Sequence, residues 1–253
     1  MTEAHLLSPA TLVLLFAITY TASFAKGVTT MGLNLLSVPL IATVFGVQTA
    51  VVSMLLPKIM SDAFMTFEAR ADRSSILVRS IIPFACSGAV AVAAATLLLA
   101  KIADKMLSII LGASVIVFVA LQLLPKAIVI PKHRRSEWGV IFGALTGLSQ
   151  GLTGVGGLTT AMYLYSLELA PTAFVFLSSV IYLALDACQV TAFLYFGLYN
   201  RERMLISVAL AVPVMIGTWS GVKMRRRLSV KWFRYALLIM LFATASTLIA
   251  KAV

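Results

Sequence analysis

The stretch that decides the fold, residues 143–160, reads GALTGLSQGLTGVGGLTT and contains six glycines in eighteen residues. Three of these glycines recur every four residues: Gly143, Gly147 and Gly151. On a helix they form one smooth stripe, which lets another helix approach closely. The other three follow within a few residues and, because glycine destabilises a helix interior by about 1 kcal/mol relative to alanine, predict a break.

A helix break in an apolar segment leaves backbone N–H and C=O groups without partners. At membrane depth such groups are tolerated only where protein covers them or where they line a watery cavity. Transporters use these breaks to bind ions near the middle of the bilayer. We therefore expect the break at 150–160 to line a binding site. Its candidate substrate-binding residues are Gln150, Thr153, Gly154, Gly156, Gly157 and Thr160.

The composition of the whole chain agrees with a membrane location. Of 253 residues, 61% are hydrophobic and 11% charged, and the mean hydropathy is +1.02. Successive apolar runs of about 15–25 residues predict an all-α, multi-pass protein of the cell (inner) membrane, surrounded by the lipid bilayer. The predicted segments are 8–25, 31–45, 47–67, 76–100, 105–124, 138–153, 157–169, 172–196, 204–222 and 232–252.

The two shortest segments, the second and the seventh, have 15 and 13 residues. At about 1.5 Å per residue, a helix of that length falls short of a hydrocarbon core of about 30 Å. The sequence leaves open whether the hairpins 8–45 and 138–169 cross the bilayer fully or turn back within it.

The net charge of +11 could indicate nucleic-acid binding, but the basic residues cluster in short loops between apolar runs. That distribution is the positive-inside pattern of membrane proteins, so no nucleic-acid partner is expected. The basic loops follow the third, fifth and ninth segments and contain Arg70, Arg73, Arg79; Lys126, Lys132, Arg134, Arg135; and Lys223, Arg225, Arg226, Arg227, Lys231. Placing them in the cytoplasm puts both termini outside.

The segments divide into two halves of five, so the halves insert with opposite orientation. We predict two inverted membrane repeats, 1–124 and 138–253, joined by a basic cytoplasmic linker at 125–137. A shift of 124 residues supports this repeat by aligning four pairs: Gly27 with Gly151, Thr29 with Thr153, Gly32 with Gly156, and Asp62 with Asp186.

The second half also resembles a known family. It contains GLTGVGGLTTAMYLYSLELAPTAFVFLSSVIY, then FGLYNRERM, then VPVMIGTWSGVKMRRRLSVKWFRY. This order resembles the TauE/SafE family of sulfite exporters, with its glycine-rich break, Pro/Ala segment and late Gly-xxx-Gly helix before a basic loop. The first half departs from the family pattern, because residues 26–32 read KGVTTMG where members usually carry several adjacent glycines. The resemblance implies export of small sulfur-containing or organic anions.

The first half contains a second candidate break at 26–34. A lysine beside broken backbone with free N–H groups is a plausible anion site, although the same lysine could instead extend to the cytoplasmic headgroups. The candidate substrate-binding residues here are Lys26, Gly27, Thr29, Thr30 and Asn34.

Two aspartates in apolar segments are candidate proton-coupling groups. Asp186 lies in mid-segment on a polar stripe with Ser178, Tyr182 and Gln189, and a carboxylate at that depth must face a cavity or a partner or be protonated. The alternative is a packing contact through hydrogen bonds. Asp62 follows Lys58 by four residues, so an ion pair on one helix face could neutralise both.

The remaining motifs indicate no enzyme. Residues 147–151 match G-x-S-x-G, but that pattern needs a strand-to-helix turn and a histidine partner. No cofactor or metal is expected, since the two cysteines are isolated in apolar segments. The sequence therefore predicts a secondary transporter that exports a small anion such as sulfite or a sulfonate, with proton coupling through Asp186 and Asp62. An intramembrane enzyme or a non-transporting assembly subunit remains the alternative, and a homo-oligomer remains open.

Overall fold

The computed structural model describes residues 9–30, 32–70, 78–79, 81–123, 130–131, 134–225, 241–247 and 250. In this part of the chain the regular secondary structure is helical throughout, and residues 241–247 are also helical. The helices with defined bounds are α1 (Pro9–Thr29), α2 (Leu33–Phe45), α3 (Val47–Glu68), α4 (Ile82–Lys101), α5 (Asp104–Leu123), α6 (Arg135–Thr153), α7 (Gly157–Tyr165), α8 (Pro171–Tyr195) and α9 (Arg201–Met224).

Five of the described helices, α1, α3, α4, α8 and α9, are long and apolar enough to cross a membrane. Helices α2 and α7 have only 13 and 9 residues and are too short to cross alone. Several sequence predictions fall outside the described residues: Arg73, Lys126, Lys132, Arg226, Arg227 and Lys231, with most of the linker 125–137 and much of the segment 232–252.

The starts of α3, α5 and α9 lie together at one end of the helix bundle, which we name the Asp104 end. The backbone N–H of Gln48 donates to Asp104 Oδ1 over 3.1 Å, and Arg203 donates to Gln48 Oε1 over 2.8 Å. Helix α2 ends at Phe45, beside α3, and Leu12 near the start of α1 lines the same groove as Phe45. The hairpin of α1 and α2 therefore begins and ends at the Asp104 end.

The second hairpin enters from the opposite end, which we name the Arg135 end. The guanidinium of Arg135 donates to the carbonyl of Ser166 over 3.3 Å, so the start of α6 lies beside the end of α7. Helix α6 runs parallel to α4, because Gly143 faces Phe84 whereas Gly151 faces Ala95. Since α4 ends close to Asp104, the hairpin of α6 and α7 begins and returns at the other end of the bundle.

The closest helix packing uses small residues on both sides. On α6, a Cβ added to Gly147 would lie 2.8 Å from the Cβ of Ala91 on α4. Between α1 and α9, a Cβ added to Gly27 would lie 2.8 Å from the Cα of Gly221. These contacts hold α4 against α6 and α1 against α9 with almost no side chain between the backbones.

Candidate functional site

The tips of the two hairpins meet inside the bundle. The side-chain amide of Asn34, in the first turn of α2, donates to the carbonyl of Gly154 over 2.9 Å. A small cavity of about 40 Å³ lies at this meeting point, room for a few atoms only. Its lining comes from both hairpins and from α3, α5 and α8: Lys26, Thr30, Gly32, Leu33, Asn34, Leu35, Lys58, Phe118, Gly154, Val155, Gly156, Gly157 and Tyr182.

The chain reverses at these tips through left-handed backbone conformations. Gly154, which ends α6, has φ 70°, and Thr30, which follows α1, has φ 68°. A β-branched residue with positive φ is uncommon and is strained, and such strain often marks a functional position. Helices α2 and α7 then start at the cavity, and the first N–H groups of a helix have no partner within it.

Four charged side chains form a cluster beside the cavity. Lys26 Nζ lies 2.7 Å from Asp62 Oδ1, and Lys58 Nζ lies 3.9 Å from Asp62 Oδ2. Lys58 also forms a closer ion pair with Asp186 Oδ1. Both aspartates are fully buried, and the two lysines are only 3% and 6% exposed. A buried charge must be paired to be tolerated, and these four alternate in sign along one chain of ion pairs.

Hydrogen bonds from uncharged amide side chains extend this cluster towards α6. The amide of Gln150 donates to Asp186 Oδ1 over 2.8 Å, and Gln189 donates to the backbone carbonyl of Gln150 over 3.3 Å. Among the described residues no hydrogen-bond partner is found for five buried acceptors: Asn34 Oδ1, Gln150 Oε1, Asp186 Oδ2 and both carboxylate oxygens of Asp62, which lie at ion-pair distance from Lys26 and Lys58. Buried acceptors without donors are costly, so this region is suited to a ligand or a proton that supplies donors.

The structure places only part of the sequence-predicted site at the cavity. Six of the eleven predicted substrate-binding residues line it: Lys26, Thr30, Asn34, Gly154, Gly156 and Gly157. Helix α1 continues to Thr29 and α6 to Thr153, so helix covers part of both ranges, 26–34 and 150–160, where the sequence predicted a break. The other five lie in helices: Gly27, Thr29, Gln150, Thr153 and Thr160.

Each of these five residues packs against or hydrogen-bonds to other parts of the protein. Gly27 packs against α9, and Gln150 contacts Asp186. The hydroxyls of Thr29, Thr153 and Thr160 each donate to a carbonyl of the preceding helical turn.

The partner of Asp62 also differs from the sequence prediction. The i,i+4 spacing favoured Lys58, but the nearest cation to Asp62 is Lys26 on α1. Lys58 instead extends to Asp186, since α3 packs against α8. The sequence reasoning therefore missed Lys58 as a cavity residue, although a lysine in mid-segment is itself a signal of function.

The comparisons with known proteins identify the family of the chain. A model of the family described as sulfite exporter TauE/SafE matches residues 15–248, which is nearly the whole chain. Searches of curated proteins and of solved structures found no match. The family match and the apolar spanning helices together show a transmembrane protein of a transporter family. The chain belongs to the TauE/SafE family of sulfite exporters.

Proposed function

We propose that the protein exports a small anion, such as sulfite or a sulfonate, and that it binds the anion in the cavity between the two hairpin tips. The observation that carries this proposal is the lining of the cavity. Two buried lysines, Lys26 and Lys58, face it together with the first turns of α2 and α7. Helix N-termini and lysine side chains both favour anions. The volume of about 40 Å³ suits a compact anion rather than a large organic molecule.

The binding site is formed by two inverted repeats, related by the shift of 124 residues. Two pairs of observations support this relation. Lys26 contacts Asp62 in the first half as Gln150 contacts Asp186 in the second, and each partner is 124 residues from its counterpart. Thr30 and Gly154, also 124 apart, share nearly the same φ. Inverted repeats of this kind place the substrate at the repeat interface near the midplane.

Proton coupling through Asp186 follows from its position. Asp186 is buried and forms an ion pair with Lys58, which lines the cavity. Asp186→Asn mimics the protonated acid, so we expect the variant to fold and still bind the anion. Its flux should no longer depend on a pH gradient. Asp62→Asn should change this dependence less, because the closest cation to Asp62 is Lys26 and not Lys58, the cation that pairs with Asp186. Retention of the pH dependence in Asp186→Asn would reduce Asp186 to a packing residue.

The topology follows from the basic loops, which we place in the cytoplasm. The Asp104 end would then face outward, with both termini, in the cell membrane. In a background without Cys86 and Cys188, a cysteine at Lys105 should react with an impermeant maleimide in intact cells. A cysteine at Arg134 should react only after the cells are permeabilised. Both positions are exposed, so access to the reagent alone separates them. The reverse labelling pattern would refute the orientation.

Flux in liposomes tests the function itself. The purified protein should move at least one member of a panel of sulfite, sulfate, thiosulfate, sulfonates and small carboxylates, and empty liposomes should not. An intramembrane enzyme or an assembly subunit would move none of these solutes intact. Lys101→Gln removes an exposed lysine at the end of α4 that does not line the cavity, and it is the matched control for loss of a positive charge. This variant should transport like the parent.

A further inference from the structure

We propose that Lys58 is the mobile cation of the anion site: it leaves Asp186 to pair with the incoming anion, while a proton binds Asp186 in its place. One proton then enters with each monovalent anion, and the loaded site has the same charge as the empty one. This inference rests on the proposed anion transport and adds a residue, Lys58, and a stoichiometry to it.

Lys58 is suited to this role because it is shared between the two halves. Asp62 keeps Lys26 as a partner at 2.7 Å, and Asp186 keeps the amide of Gln150 at 2.8 Å. Lys58 can therefore leave either carboxylate while a partner remains, the ion pair with Lys26 for Asp62 and the hydrogen bond from Gln150 for Asp186. In the shift of 124 residues, the counterpart of Lys58 is Tyr182, whose ring lies 4.8 Å from the ammonium. An aromatic face can hold a cation between two partners.

Charge balance supplies the reason for the proton. Lys26, Lys58, Asp62 and Asp186 sum to no net charge, and all four are buried. An anion that entered alone would leave one uncompensated negative charge at membrane depth, which is strongly unfavourable. A proton taken up with the anion removes that charge. The lysine remains an ammonium throughout, and the proton comes from water on the side from which the anion enters.

Asp186 is the better acceptor of this proton. Its Oδ1 accepts from both Lys58 and Gln150, whereas Oδ2 has no partner among the described residues. The described ionisable groups that interact electrostatically with Asp186 are Lys58 and Asp62 on α3, Lys26 on α1, Tyr182 on α8 and Tyr199 after α8. Once Lys58 leaves, Asp186 has lost its closest cation, whereas Asp62 still has Lys26.

The test is sulfite flux in liposomes below neutral pH, where hydrogensulfite, a monoanion, is the main form. We expect an imposed pH gradient to drive hydrogensulfite flux in the parent protein, and an imposed membrane potential to leave it unchanged. In Asp186→Asn the proton site is gone and the empty cluster has one positive charge. The flux should then be independent of the pH gradient and should respond to the membrane potential. An imposed potential of about 60 mV should change the steady-state ratio of anion inside to anion outside by about tenfold.

Two further variants separate an anion-binding lysine from one that only neutralises Asp186. Lys58→Gln should abolish flux, and Lys58→Arg should keep electroneutral flux. The decisive variant is the double substitution Lys58→Gln with Asp186→Asn. If Lys58 only neutralised Asp186, removing both would restore transport. If Lys58 binds the anion, the double variant stays inactive although it is folded, as thermal unfolding in detergent would verify.

The outcomes distinguish the two proposals. No flux of any panel anion in the parent protein would overturn the proposed function and this inference with it. Flux in the parent that responds to membrane potential, or restored flux in the double variant, would overturn the inference and leave anion transport standing. If the Lys58 variants do not fold, the potential dependence of the parent and of Asp186→Asn still decides the stoichiometry.

Discussion

Replacing Gly147 by leucine should destabilise the protein and abolish transport. A Cβ at this position would lie 2.8 Å from the Cβ of Ala91, equally close to the backbone N of Val92, and closer still to the carbonyl of Gly88. These neighbours are mostly backbone atoms of α4, which cannot move aside as a flexible side chain can. Overpacking of this kind costs about 1–3 kcal/mol, and α4 and α6 would have to separate. Thermal unfolding in detergent and flux in liposomes measure the two effects.

Gly143→Leu should behave in the same way, since its Cβ would lie against the carbonyl of Phe84 and the hydroxyl of Ser87. Ala93→Leu is the matched control, because this alanine lies on α4 but on its exposed face. The added side chain there meets only the surroundings of the bundle, so unfolding and flux should remain those of the parent. Parent-like behaviour of both glycine variants would show that the stripe is not a close helix contact.

The glycine stripe shows which features of this fold can be predicted from sequence. Its spacing of four residues is local, so it identifies one smooth helix face without knowledge of the partner helix. The apolar runs identify spanning helices for the same reason, since length and hydropathy are properties of single segments. Six of the substrate-binding predictions reach the cavity because broken backbone and polar side chains in an apolar segment are also local signals.

The pairing of the buried charges could not be predicted in this way. Sequence spacing favoured Lys58 as the partner of Asp62, because the two lie four residues apart on one helix. The actual pairs join Lys26 to Asp62 and Lys58 to Asp186, and they depend on how α1, α3 and α8 pack. The lengths of the breaks were missed for a related reason. Glycine and polar residues in the sequence favour a break at these positions. In the structure both Gly27 and Gln150 are helical, and each has a tertiary contact, Gly27 with α9 and Gln150 with Asp186.

The ion pair of Lys26 with Asp62 is expected to contribute strongly to the stability of the protein. Asp62→Asn should destabilise the protein by about 3–5 kcal/mol, because it leaves the buried ammonium of Lys26 without its closest carboxylate. Asp186→Asn should cost less stability, since Lys58 keeps Asp62 at 3.9 Å and can approach it. Asp62→Asn should therefore cause the larger loss of stability, whereas Asp186→Asn should have the larger effect on proton coupling. Unfolding in detergent of both single variants measures the difference.

A double variant tests whether the loss comes from the unpaired charge or from the missing carboxylate itself. Replacing a buried ion pair with uncharged groups often restores stability, whereas removing one partner does not. Lys26→Met combined with Asp62→Asn should therefore be more stable than Asp62→Asn alone, with a coupling energy of about 0.5–3 kcal/mol between the two sites. Additive losses would mean that Lys26 and Asp62 do not depend on each other. The ion pair of Lys26 with Asp62 would then contribute nothing to holding α1 against α3, and the position of Lys26 at the anion site would need another cause.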